Sequence, residues 1–195
     1  MLQLPPLSLY IHVPWCVRKC PYCDFNSHQA QGDLPEQEYI QALLADLDQD
    51  LKWVQERPLH SIFIGGGTPS LLSAAAYKTL FDGLRQRLVF SSDIEITLEA
   101  NPGTFEAEKF AAYRQLGINR LSIGIQSFNE THLTRLGRIH DGGQAQKAIE
   151  MAKKAGFDNF NVDLMYGLPD QTTEQALDDL RTALSFNRHT CPGIS

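Results

Sequence analysis

The sequence predicts an α/β fold: a parallel sheet wound as a partial (β/α) barrel of about five units. Three observations lead there. Strand-like alternation and helix-like spacing take turns along the whole chain. The helical stretches between strands are long enough for right-handed crossovers, which makes neighbouring strands run parallel. Polar residues with useful chemistry, His12, Glu99, Gln126 and Asp163, sit at the C-terminal ends of strands on the non-apolar face. That is where βα barrels assemble a ligand site from several strands.

The elements follow in order. Leu7, Leu9, Ile11 and Val13 alternate with Ser8, Tyr10 and His12, the period-two pattern of a strand. Ile40, Leu43, Leu44, Leu47, Leu51 and Val54 recur at three-and-four spacing, which predicts a helix over 36–56 with one apolar face. A short apolar strand over 61–64 runs into glycines, and a helix follows over about 73–88. Ile94, Ile96 and Leu98 alternate as a third strand, with a helix around 105–115. Leu121, Ile123 and Ile125 mark a fourth strand over 120–125, followed by a helix at about 144–155. The fifth strand is read at 158–164 and the fifth helix at 173–186.

Composition narrows the class. A chain of 195 residues can bury the core of one domain. Its net charge of −6 lacks the basic face of a nucleic-acid binder, so no nucleic-acid partner is expected. No basic-then-apolar leader opens the chain. No apolar run approaches the roughly 20 residues of a membrane-spanning helix. A cytoplasmic protein is expected.

Cysteines are the strongest local signal. Cys16, Cys20 and Cys23 crowd the loop after the first strand in IHVPWCVRKCPYCDF, while Cys191 lies near the end. A disulfide framework would spread its cysteines through a small core, so tight clustering points to metal or redox chemistry. Three thiolates at C-x3-C-x2-C can bind three irons of a cubane and leave the fourth open. The competing reading is a zinc tetrahedron completed by His12 or His28.

The second signal is IFIGGGTPS at the end of the second strand. Glycines let a ligand approach the backbone, although a tight turn would also use them. The segment is neither a P-loop nor a dinucleotide fingerprint, since both spacings are missing. Glu99 in LEANPG, Gln126 in SIGIQSF and Asp163 in NVDLMYG each read as a site residue or as a local turn cap. Arg138 in RLGRIH reads more weakly, because an exposed arginine is usually only solvated.

Together these motifs resemble the radical S-adenosylmethionine superfamily, whose signature is this cysteine spacing after a first strand. YIHVPWC, CPYCDFNS, FIGGGTPSLL, EANPGT, SIGIQSF, LGRIH and DLMYGLPDQT match one branch of it and span nearly the whole chain. That branch holds the oxygen-independent coproporphyrinogen III dehydrogenases and the similar haem chaperones of the HemW family. The resemblance implies a [4Fe–4S] cluster on Cys16, Cys20 and Cys23, with S-adenosyl-L-methionine chelating the open iron and cleaved to a 5′-deoxyadenosyl radical. It implies that Tyr10, Gly66, Gly67, Thr68, Glu99, Gln126, Arg138 and Asp163 contact S-adenosylmethionine, with Tyr22 beside the cluster. The fold it implies is the incomplete barrel of that superfamily, over residues 1–187.

Two departures separate the branches. The dehydrogenases carry a further cysteine two residues after the third cluster ligand, where this chain has Phe25. The chain also opens almost at its first strand, without the dehydrogenases' N-terminal extension. Both favour a haem chaperone, with haem as cargo and an acceptor haemoprotein as partner. The alternatives are a dehydrogenase acting on a porphyrinogen and a zinc-stabilised binding module. Residues 188–195 depart from the family altogether. Losing one base ahead of the family's His-Leu-Ser-Trp-Tyr-Gln codons yields Thr-Cys-Pro-Gly-Ile, the order found from Thr190. A frameshifted tail is therefore expected, with Cys191 ligating nothing and the fifth strand left as a sheet edge.

Overall fold

The computed structural model describes residues 3–104 and 106–186. The chain runs β1 (Leu7–Val13), β2 (Trp15–Cys16), β3 (His28–Gln29), α1 (Glu36–Asp50), β4 (Leu59–Gly66), α2 (Ala74–Arg87) and β5 (Phe90–Ala100). It continues through α3 (Ala107–Leu116), β6 (Arg120–Gln126), α4 (Glu130–Arg135), α5 (Gly142–Lys154), β7 (Phe160–Leu164) and α6 (Thr173–Phe186). The tail read as aberrant, with Cys191, lies outside the described residues.

β1, β4, β5, β6 and β7 form one parallel sheet in that order. Each new strand adds beside the last, with no reversal. This is the winding of a βα barrel and differs from a doubly wound sheet, whose strand order turns back at a switch point. β1 and β7 are its edge strands among the described residues.

Register sorts the two faces. Ile11 pairs with Ile64, Ile64 with Leu98, Leu98 with Leu121 and Leu121 with Phe160, a continuous apolar row. These residues join Tyr77, Phe81, Phe110, Tyr113 and Ile149 from the helices in one buried core. The opposite face carries Tyr10, His12, Phe63, Thr97, Glu99, Ser122, Asn161 and Asp163. Because successive strand residues point to opposite sides, the same alternation that builds the core sets out a polar face.

Boundaries differ from the sequence reading where the backbone turns. The helix expected over 36–56 stops at Asp50 and tightens into a 3-10 turn over Leu51–Trp53. Gln55 and Glu56 then take positive φ, and Arg57 precedes Pro58, which disfavours helical backbone. Three elements, α4, β2 and β3, have no counterpart in the sequence reading. α4 is six residues capped by Asn129, whose side chain accepts from the Thr131 and His132 N–H groups. β2 and β3 form a two-residue parallel pair that closes the cysteine loop at its base.

Candidate functional site

The three cysteines of the loop are free thiols, with Cys16 buried and Cys20 and Cys23 partly exposed. The loop is built to hold them still. The Cys23 N–H donates to Cys20 O at 3.0 Å, and Lys19 Nζ reaches Phe25 O and Ser27 O at 3.2 and 3.3 Å. His12 ties the loop to the sheet. Its Nε2–H donates to Asn26 O at 2.7 Å, which leaves Nδ1 to accept from the Tyr10 hydroxyl at 2.8 Å. With both ring nitrogens engaged, His12 has no lone pair to offer a zinc ion. His28, the other candidate fourth ligand, is exposed at the base of the loop.

The thiols open into a cleft of about 410 Å³ at the C-terminal ends of the strands. Of the residues expected at the site, Cys16, Cys20, Tyr22, Cys23, Gly66, Gly67, Thr68, Glu99, Gln126, Arg138 and Asp163 all line it. Tyr10 stands apart: it is 56% exposed, stacks on Phe63, donates to His12 and does not line the cleft.

The glycines answer first to protein packing. A Cβ on Gly67 would lie 2.5 Å from Trp15 O, and one on Gly66, at φ 117, would lie 2.7 Å from the His12 ring. The Gly67 and Thr68 N–H groups donate to Val13 O and Trp15 O at 2.7 Å each, and the Gly66 N–H donates to Glu99 Oε2 at 3.1 Å. Buried tyrosines fix the segment from below, Tyr77 on Pro69 O and Tyr113 on Ser70 O and Leu72 O. With its N–H groups engaged, the segment presents acceptor oxygens.

Charge is concentrated along the cleft floor. Burial pushes the Glu99 carboxyl up to about 7, opposed by the Gly66 N–H and by His12, and Asp163 adds to the rise. Burial also raises Asp163, against hydrogen bonds from Ser122 Oγ at 3.1 Å and Asn161 Nδ2 at 2.8 Å. Arg120 orients Asn161 in turn, through Nη2 at 3.0 Å from its side-chain oxygen. Ser122 and Asn161 were missed in sequence; the signal was their place on the same alternation face as Asp163. Gln126 has φ 70, in the left-handed region that only glycine adopts freely.

Arg138, the weakest reading from sequence, is the residue that joins the halves of the site. Its Nη1 lies 3.7 Å from Cys20 Sγ and 3.3 Å from the Tyr22 hydroxyl, and its Nη2 donates to Gly124 O at 2.5 Å. The turn before it packs on the cysteine loop, where a Cβ on Gly137 would meet Pro21 at 2.8 Å.

The donor set fits a [4Fe–4S] cluster: three free thiols on one braced loop, open to a cleft, with a guanidinium beside one of them. Among the described residues no three His, Cys, Asp or Glu side chains crowd one point as ligands of a single ion do. Thiolates that each bind a different iron of a cubane need no such crowding.

Comparison with known proteins gives the family and the fold. The Radical SAM superfamily family model matches residues 10–183. The chain is 58% identical over 187 residues to heme chaperone HemW of Escherichia coli K12, covering 96% of this chain and 50% of that protein. It is 40% identical over 181 residues to heme chaperone HemW of Bacillus subtilis 168, covering 92% and 48%. The chain thus spans about half the length of the curated relatives it matches. Among solved structures, coproporphyrinogen III oxidase (HemN) from Escherichia coli, titled a Radical SAM enzyme, superposes with TM-score 0.84 at 32% identity, over 93% of this chain and 42% of that one. Methylornithine synthase (PylB) superposes with TM-score 0.64 at 14% identity, over 93% and 51%, a likeness of fold alone.

Proposed function

The chain belongs to the radical SAM superfamily, and on that premise we propose that it is the cluster- and nucleotide-binding part of a cytoplasmic haem chaperone, which binds haem and delivers it to an acceptor protein. The observation that carries the chaperone reading is the 58% identity to the Escherichia coli protein of that name, sustained across 96% of this chain. Among the described residues no helix is long and apolar enough to cross a membrane.

Cys16, Cys20 and Cys23 would hold the [4Fe–4S] cluster, with S-adenosylmethionine taken by Glu99, Gln126, Arg138, Asp163 and the glycine segment. When bound, the pair supplies electron transfer to a sulfonium. The protein's part is electrostatic and positional. Arg138 places positive charge beside Cys20, where a bound cluster would carry negative charge on its thiolate ligands. The acceptor oxygens of the Gly66–Thr68 segment suit an ammonium group. Glu99, poised near neutrality, accepts a hydrogen bond as carboxylate and donates one as acid. Asp163 already accepts from Ser122 and Asn161, which fixes its orientation and leaves lone pairs for a hydroxyl.

A second reading is favoured by the HemN superposition: oxidative decarboxylation of a porphyrinogen. Against it stands Phe25, a 63% exposed ring lining the cleft where the dehydrogenases carry a further cysteine. The two readings separate by experiment. The anaerobically reconstituted chain is titrated with haem and followed in the Soret region, then incubated with coproporphyrinogen III, S-adenosylmethionine and a reductant. Haem binding without loss of carbon dioxide supports the chaperone; decarboxylated product assigns the dehydrogenase; neither result contradicts both for this chain.

A further inference from the structure

Asp179 is a carboxylate on α6, 5% exposed, and it does not line the cleft. It grips the turn that follows β6. Ser127 Oγ donates to its Oδ2 at 2.6 Å and the Phe128 N–H donates to its Oδ1 at 2.7 Å. Ser127 Oγ then accepts from the Asn129 N–H at 3.0 Å. This turn lies between two cleft residues. On one side is Gln126, held at φ 70; on the other, Asn129 caps α4, which leads to Arg138.

A non-glycine residue in left-handed backbone persists only where its surroundings over-determine it. Here they do. His140 Nε2–H donates to Ile125 O at 3.1 Å, the Met165 N–H donates to Gln126 O at 2.9 Å, and Asp179 takes the next two residues. Asp179 supplies two of these bonds and the only charge among them, and charge-assisted bonds are the strong ones.

We propose that Asp179 is a positioning residue: by holding Ser127 and Phe128 it keeps Gln126 in its strained conformation and so sets Gln126 in the S-adenosylmethionine site. This rests on the nucleotide reading above.

The test is a double-mutant cycle on the reconstituted chain. Affinity for S-adenosylmethionine is read from the perturbation of the cluster spectrum, with iron and sulfide content measured on every variant. Wild type must respond to the nucleotide; no response overturns the nucleotide reading and this inference with it. Asp179→Asn is expected to keep its cluster content and to weaken binding about tenfold. In a Gln126→Ala background the same change is expected to weaken binding less than about twofold, because the side chain it positions is gone. Ser127→Ala, which keeps the Phe128 bond, is expected to weaken binding about threefold and carries the test if Asp179→Asn does not fold. Undiminished affinity in Asp179→Asn, or an equal loss with and without Gln126, overturns the proposal, since a purely structural residue adds its effect regardless of Gln126.

Discussion

Arg138 and Cys20, 118 residues apart in the chain, meet at 3.7 Å between Nη1 and Sγ. The contact ties the loop after β1 to the turn after α4, so the cysteine loop is braced by the far side of the sheet. Arg138→Ala removes the charge beside the thiols and the bond to Gly124 O together. S-adenosylmethionine affinity of the reconstituted chain is expected to fall at least about tenfold. Arg138→Lys is expected to fall between, since it keeps the charge and loses the planar fork. Spectral titration of the three proteins checks the order.

Gly67→Ala tests whether the glycine segment is dictated by packing. The added methyl would sit 2.5 Å from Trp15 O, a backbone atom that cannot swing aside. A loss of about 2–3 kcal/mol is expected, seen as a melting temperature lower by roughly 5–10 °C. An unchanged melt would mean that β4 and the cysteine loop are free to separate.

Glu99 makes stability depend on pH. Its folded pKa, about 7, lies above its ordinary 4.5, so the native state holds the proton more tightly than the unfolded chain. The contribution is complete below pH 4.5 and lost as pH rises through 7. Glu99→Gln, which stays neutral and still accepts from Gly66, is expected to be more stable than wild type at pH 8 by on the order of 2 kcal/mol, and equal to it at pH 4.5. Denaturant melts at the two pH values decide this.

Gln126→Gly separates stability from function. Relief of left-handed strain is expected to raise stability by up to about 1 kcal/mol. Loss of the side chain is expected to weaken nucleotide binding about tenfold. A destabilised variant would show that Gln126 is not strained in the native state.

Much of this was legible in sequence for a physical reason. Strand period and helix period differ, so Leu9, Ile11 and Val13 against Ile40, Leu44 and Leu47 mark their elements without a structure. The alternation that buries Leu98 and Val162 also places Glu99 and Asp163 on the opposite face, and those two residues were found that way. Arg138 was weak because its partners, Cys20 and Gly124, lie 118 and 14 residues away and no local pattern encodes them. α4 was missed because six residues carry too little periodicity, although Asn129 signals its cap. Asp179 lies in a helix among acidic neighbours, and nothing local marks it as the buried one.

The most direct test of the central claim is the iron and acid-labile sulfide content of the anaerobically reconstituted chain, read with its visible spectrum. The account expects about four irons and four sulfides per chain, a broad absorbance that S-adenosylmethionine perturbs, and loss of all three in Cys20→Ala. A colourless protein carrying one zinc per chain, with Cys20→Ala losing it, would contradict the account.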